Sequence, residues 1–161
     1  RGALIHTLCK LDKEEIILYT SFEQLFESQL LFITKMGYIK QVSGAEFETN
    51  RSQINATKLE DGDELVGIAL LSAGDVLSGN LNVILITEQG LSLRFPLTDV
   101  PELKKNSRGV KAIKLNKDDS VRFAITVGPD TGTFEYNGKE IEVEKIKIRN
   151  RGDKGQKVKL Y

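Results

Sequence analysis

One pattern recurs along this chain and leaves few folds open to it. Thr34, Gly37, Tyr38 and Val42 return as Thr87, Gly90, Leu91 and Phe95, 53 residues later. Ile54, Ala56, Lys58, Leu59, Asp63 and Leu65 return as Val110, Ala112, Lys114, Leu115, Asp119 and Val121, 56 residues later. A shorter third copy ends at Leu160, 45 residues after Leu115. Periods of about 40 to 55 residues that hold about four strands mark propeller blades. Each unit has an apolar face that only a neighbouring unit can cover, so the units must stack. The expected fold is therefore all-β, a partial array of about three to four four-stranded blades. The units fall near residues 1–30 (partial), 31–80, 81–128 and 133–161.

Within the units, apolar and β-branched runs bounded by polar or glycine-containing segments read as strands. They cover residues 3–8, 15–19, 31–34, 38–42, 54–59, 64–71, 81–87, 91–95, 110–115, 121–127, 133–136, 139–143, 144–148 and 157–161. Lys35-Met36-Gly37 and Glu88-Gln89-Gly90 read as turns, and Pro96 ends the strand before it. Asn137-Gly138 is the strongest hairpin signal in the chain. Residues 21–30 read as a single helical turn capped by Thr20 or Ser21, and residues 72–80 as a stretch of small turn formers. A chain that opens on strand material leads us to expect a further element upstream.

The 161 residues carry no net charge, yet the charge is unevenly spread. Residues 1–93 hold 7 Lys/Arg against 13 Asp/Glu, and residues 94–161 hold 16 against 10. From Lys145 onward seven basic residues face one acid, Asp153. Such asymmetry points to a basic surface for an acidic partner. It concerns partners and not fold.

Other functional classes find little support. One Cys and one His cannot assemble a Cys/His zinc site, and a lone Cys9 fits a reducing compartment. His6 has no nucleophile pattern beside it. No P-loop and no GxGxxG is present. Asp61-Gly62-Asp63-Glu64 lacks the alternating ligands of a calcium loop and reads as a turn. Arg151-Gly152-Asp153 is a three-residue match of the kind chance supplies. Tyr19, Tyr38 and Tyr136 sit at strand positions where core contacts explain them. No apolar run approaches the roughly 18 residues of a membrane span, and no charged segment precedes an apolar one as in a signal peptide. The expected location is the cytoplasm, with no membrane partner.

The basic residues cluster at equivalent loops. Lys104 and Lys105 precede Arg108-Gly109-Val110-Lys111, and Arg149, Arg151, Lys154 and Lys157 fill the corresponding loop of the last unit. A glycine turn among cations can bring backbone amides and guanidinium forks up to phosphates. A solvated loop would carry similar charge, but the recurrence favours binding. The first unit's loop has Arg51 together with Glu46 and Glu48, and should contribute less.

With those residues in place, residues 32–42, 54–68 and 85–115 resemble successive blades of the C-terminal domain of the A subunit of bacterial type IIA topoisomerases, that is, DNA gyrase or topoisomerase IV. The T-x-x-G-x-x-x-R-F-P element at 87–96 and R-G-V-x-x-I-x-L at 108–115 carry the likeness, which covers nearly the whole chain. The resemblance implies a β-pinwheel, a propeller-like ring whose blades exchange strands. It also implies a non-catalytic module that binds and bends double-stranded DNA around its basic outer edge. The partners implied are duplex DNA, the remainder of the A subunit, and the ATPase B subunit reached through it, with no cofactor. The candidate DNA contacts are Lys40, Arg94, Lys104, Lys105, Arg108, Lys111, Arg149, Arg151, Lys154 and Lys157. Full domains of the family have five or six blades, so this chain is expected to be the C-terminal part of one. The gyrase heptapeptide Q-R-R-G-G-K-G is not present; residues 149–155 are a degenerate relative. The rival reading is a propeller that binds proteins through its acidic half.

Overall fold

The computed structural model describes residues 17–157. The strand expected at 3–8, His6, Cys9 and residues 158–161 lie outside the described residues, and residues 17–20 have no regular structure. Among the described residues two short helices, α1 (Phe22–Phe26) and α2 (Ala73–Ser78), accompany ten strands. The strands are β1 (Ser28–Thr34), β2 (Tyr38–Ser43), β3 (Leu65–Ser72), β4 (Asn82–Thr87) and β5 (Leu91–Pro96), then β6 (Val110–Lys111), β7 (Val121–Val127), β8 (Thr133–Tyr136), β9 (Lys139–Glu142) and β10 (Gln156–Lys157).

They form two four-stranded sheets, ordered β3-β1-β2-β6 and β10-β5-β4-β7, and a two-stranded sheet β8-β9. Every pairing between these strands is antiparallel. In each four-stranded sheet the unit's own hairpin and third strand are completed by a strand from the next unit. Tyr38 and Ile39 pair with Lys111 and Val110, and Leu91 and Ser92 pair with Lys157 and Gln156. This strand exchange is what the pinwheel reading requires. Pairing sets Gly109, Val110 and Lys111 against Gly155, Gln156 and Lys157, an offset of 46 over the described residues, and the expected match of Leu115 with Leu160 lies outside them. A one-residue slip would turn each side chain to the opposite face, so pairing decides the register.

The sheets stack face to face, which explains why β1 and β4 are continuous apolar runs and not alternating ones. Leu31 and Ile33 face Val83, Leu85, Leu93 and Phe95 in the central core layer. Ile84 and Ile86 on the other side of β4 meet Phe134, Tyr136 and Ile141 of the β8–β9 hairpin. Leu30 and Phe32 face away from the second sheet and are covered by Phe47, Leu25, Ile54 and Ala56. Full burial of side chains of this size is worth about 1.5–3 kcal/mol each.

Both copies tie their turns with the same aspartate. Asp63 accepts from the amides of Met36 (2.8 Å) and Glu64 (2.9 Å), and Asp119 accepts from Gln89 (3.1 Å) and Ser120 (2.9 Å). Asp63 thus belongs to a turn clasp, and no metal-ligand cluster occurs among the described residues. Asn137 and Gly138 both have positive φ, 52° and 71°, which gives the tight turn its twist.

Five expectations fail. Residues 17–19, expected as the end of a strand, are not strand, and Tyr19 is exposed rather than packed, because no neighbouring strand pairs with them among the described residues. Residues 54–59 form no strand. Their counterparts at 110–111 are strand because β2 of the preceding unit offers an edge, and no such edge faces 54–59 among the described residues. The expected strand 110–115 stops at Lys111, because the chain turns inward and buries Ala112 and Ile113. Residues 144–148 are instead a 3-10 turn (Val143–Lys145) followed by a single bridge from Ile148 to Arg94. Residues 72–80 contain α2, started by a Ser72–Asp75 capping box and ended by left-handed Gly79. The helical turn expected within 21–30 is α1, and its cap is Ser21.

Candidate nucleic-acid interface

The β6 edge of the first sheet exists because residue 109 is glycine. Its φ is 100°, and a Cβ there would sit 2.7 Å from the carbonyl oxygen of Ile39. Only glycine lets the chain lie this close to β2 and then pair with it. The loop before it carries Lys104, Lys105 and Arg108, and β6 carries Lys111. Lys104 forms an ion pair with Glu46 at 2.9 Å, and Lys105 donates its side chain to the Glu46 carbonyl (2.7 Å) and its amide to the Glu46 carboxylate (2.9 Å). That amide bond first, and Lys104 second, hold the Glu46 carboxyl below its ordinary range. The bond to Glu46 correspondingly raises the Lys104 ammonium. Arg108 pairs with Glu60 at 3.1 Å, and both Arg108 and Lys111 lie over the Tyr38 ring, at 4.6 and 3.9 Å from its centre. Tyr38 is thus a platform for cations rather than a core residue.

The β10 edge of the second sheet repeats the layout with different partners. Lys154 and Lys157, the counterparts of Arg108 and Lys111, are exposed and form no ion pair among the described residues. Leu91 stands where Tyr38 stands in the first copy, and Asn116 stands where Glu60 does. Arg149 is exposed and reaches Gln156 at 3.4 Å. Arg151 donates to the carbonyl of Asp99 (2.7 Å), as Lys105 does to Glu46, and also to the carbonyl of Lys111 (2.6 Å). It therefore fastens the second edge to the first. The amide of Gly152 on Ala112 and that of Lys114 on Asp153 complete the joint.

Two of the ten candidates are engaged inside the fold, Lys40 fully buried and Arg94 half-buried, and the burial of Lys40 corrects the sequence reading. Lys40 is 1% exposed and donates to the carbonyls of Lys105 (2.7 Å), Ser107 (2.7 Å) and Lys104 (3.3 Å). Burial pushes its pKa down from 10.5 to about 8, with Glu46 opposing the shift. It cannot touch a phosphate while that loop is closed. Arg94 is half-buried, and its guanidinium donates to the carbonyl of Val143 (3.2 Å). Its counterpart Gln41 does the same work in the first copy, donating to the carbonyls of Val100 (2.7 Å) and Leu97 (3.5 Å). Both side chains tie a sheet to the 3-10 turn of the next unit. The sequence reading missed Gln41, Glu60 and the role of Tyr38. The 53- and 56-residue offsets, applied to polar positions as well as apolar ones, would have found them.

The remaining candidates form two adjoining strand edges, rich in ammonium and guanidinium groups with little apolar area between them. Such a surface suits a polyanion held by charge-assisted hydrogen bonds.

Comparison with known proteins bears on the fold and the family. A family model described as "DNA gyrase C-terminal domain, beta-propeller" matches residues 28–72 and again 81–127. The A subunit of DNA gyrase from Helicobacter pylori (strain 26695) is 35% identical over 96% of this chain, which spans 19% of that protein. The A subunit of DNA topoisomerase 4 from Streptococcus pneumoniae is 28% identical over 96% of this chain, again 19% of the relative. A crystal structure of the C-terminal domain of DNA topoisomerase IV superposes with a TM-score of 0.79 at 21% identity, covering 98% of this chain and 50% of that one.

Proposed function

The chain belongs to the family of DNA gyrase C-terminal domains, and on that premise we propose that it is a non-catalytic module that binds and bends double-stranded DNA. The observation that carries this reading is the pair of equivalent cationic edges, β6 with residues 104–108 and β10 with residues 149–155, joined through Arg151. Duplex DNA would run along both. Contact would be to phosphates, so sequence would be read weakly and through bendability. Because successive sheets are twisted and stacked, a path following both edges is curved, and DNA held to it would bend.

The cations placed to reach phosphates are Arg108 and Lys111 on the first edge, the former in competition with Glu60, and Arg149, Lys154 and Lys157 on the second. Five phosphate contacts give a slope of log K against log[salt] of roughly −4 to −5. In the parent enzyme, an ATP-dependent type IIA topoisomerase, the bent segment would serve supercoiling or decatenation, working with the B subunit through the rest of the A subunit. The repeat units on this reading run over 31–80, 81–128 and 133–161, with a partial unit at 1–30.

The test is a topology assay. Relaxed circular DNA is incubated with the protein, nicked and resealed, and its linking number measured. Trapped writhe that grows with protein concentration is expected. Unchanged topoisomers, together with no gel shift of duplex at low salt, would overturn the reading in favour of a protein-binding propeller.

A further inference from the structure

The two cationic edges are built on the shortest strands among the described residues. β6 and β10 have two residues each, paired at two positions, whereas the sheets they border are anchored by the buried core. Short rim segments open more readily than the core beneath them. The relation of one edge to the other is therefore set by what crosses between them, the loop of residues 149–153.

Three backbone bonds attach this loop to its surroundings. The Arg149 amide donates to the Arg94 carbonyl of β5 (2.8 Å), the Gly152 amide to the Ala112 carbonyl (2.8 Å), and the Lys114 amide to the Asp153 carbonyl (3.0 Å). Arg151 adds a tie made by a side chain. Its Nε donates to the carbonyl of Asp99, which ends the 3-10 turn Leu97–Asp99 after β5, and its Nη1 to the carbonyl of Lys111 on β6. One guanidinium thus spans the second sheet's turn and the first sheet's outermost strand. Lys105 stands 46 residues before Arg151, and Glu46 stands 53 before Asp99. There the ammonium reaches the Glu46 carbonyl and no second one among the described residues. A planar fork holds two carbonyls in fixed directions, and an ammonium on a flexible stem does not. The second bond is what the arginine adds.

We propose that Arg151 is a positioning residue for DNA bending: its guanidinium acts on the Asp99 and Lys111 carbonyls rather than on a phosphate, and so locks the two cationic edges into one rigid path. This rests on the DNA-binding reading. Affinity and bend then have different sources. Affinity comes from the cations along the edges, and the bend comes from the fixed relation between them. A bent duplex stores elastic energy, so edges free to move against each other would let it straighten while its phosphate contacts persist. The three backbone bonds do not depend on the side chain at 151, so the fold survives its replacement.

The experiment compares the protein with Arg151→Lys, which keeps the charge and can keep the bond to Asp99 but cannot span to Lys111, and with Arg151→Ala, which loses both bonds. Duplex affinity is measured by salt titration. Bending is measured by energy transfer between the ends of a duplex long enough to cross both edges, and by the linking number trapped per bound protein. Arg151→Lys should bind within about twofold of the parent with the same salt slope, because the phosphate contacts are unchanged. It should trap about half the linking change or less, and Arg151→Ala should bend no more than it does. Without DNA, the Gly152 and Lys114 amides should exchange with solvent about tenfold faster in Arg151→Lys, while that of Leu85 in β4 is unaffected. Full bending by Arg151→Lys would overturn the brace, and a salt slope about one unit shallower in Arg151→Ala would then mark the side chain as a phosphate contact. If the parent bound no duplex, the DNA reading would fall and the exchange rates would decide alone: faster exchange at those two amides keeps the brace, and unchanged exchange overturns it.

Discussion

On the first sheet's edge, carboxylates answer two of the cations: Lys104 meets Glu46 and Arg108 meets Glu60, while Tyr38 lies under Arg108 and Lys111. On the second, Leu91 and Asn116 occupy the places of Tyr38 and Glu60, and Lys154 and Lys157 stand exposed without ion pairs among the described residues. The strand pairing is the same on both edges, so the difference lies in the electrostatics. A phosphate approaching the first edge must displace a carboxylate or share a cation with it. At the second edge it displaces only water and counterions. The two edges are one scaffold used with different strengths, and the second should carry most of the affinity.

The largest effect should come from breaking one edge outright. Gly109→Ala forces a left-handed backbone onto a residue with a Cβ and drives that Cβ against Ile39, so it should cost roughly 3 kcal/mol. Gly155→Ala meets Leu91 and Ser92 near 3 Å but without a positive φ. It should cost clearly less, and thermal unfolding of the two variants measures the gap. Equal losses would mean that the edges are not held as described.

Removing charge tests the electrostatic contrast directly. Arg149→Ala/Lys154→Ala/Lys157→Ala should weaken duplex binding roughly 30- to 100-fold at low salt and flatten the salt slope by about 3. Arg108→Ala/Lys111→Ala should weaken it only about threefold to tenfold, since part of that charge is already neutralised. If the first-edge variant loses as much as the second, the idea that Glu60 and Tyr38 mute the first edge is wrong.

The converse substitution sharpens it. Glu60→Gln frees Arg108 and should raise duplex affinity about twofold to threefold, with stability changed by less than about 0.5 kcal/mol because the pair is exposed. An unchanged Kd would show that the pair opens freely.

The smallest effect concerns acid. The amide of Lys105 and the ammonium of Lys104 hold the Glu46 carboxyl below its ordinary range. A depressed carboxylate contributes above its unfolded-state pKa and loses that contribution as the pH falls through its lower folded value. Acidification past the ordinary carboxylate range should therefore release the loop from the 3-10 turn. The Lys105 amide resonance reports it; if that resonance titrates at an ordinary carboxylate pH, the clasp is not formed.

Much of this was legible in the residues. The offsets located both copies, Asn137-Gly138 marked the hairpin, and the loop cations found at both edges were named from spacing and charge. What failed shares a cause. Residues 54–59 and 110–115 look alike as strands, but a strand needs a neighbour's edge, and among the described residues only the second segment has one. Lys40 and Arg94 look like surface cations, yet each is covered by a loop or turn of the following unit. Side-chain type says what a residue can bind, and the next unit decides whether it is reachable.

The sequence by itself determined the repeat, the all-β class, the turn residues and the sign of the charge in each loop, because these follow from local period, backbone preference and composition. Only the tertiary structure decided which strand completes which sheet, the register of the last copy, the neutralisation of the first edge and the burial of Lys40. Those depend on contacts between residues 48 to 75 positions apart, such as Arg108 with Glu60, Arg94 with Val143, Lys40 with Ser107 and Lys111 with Met36. No local pattern encodes such contacts.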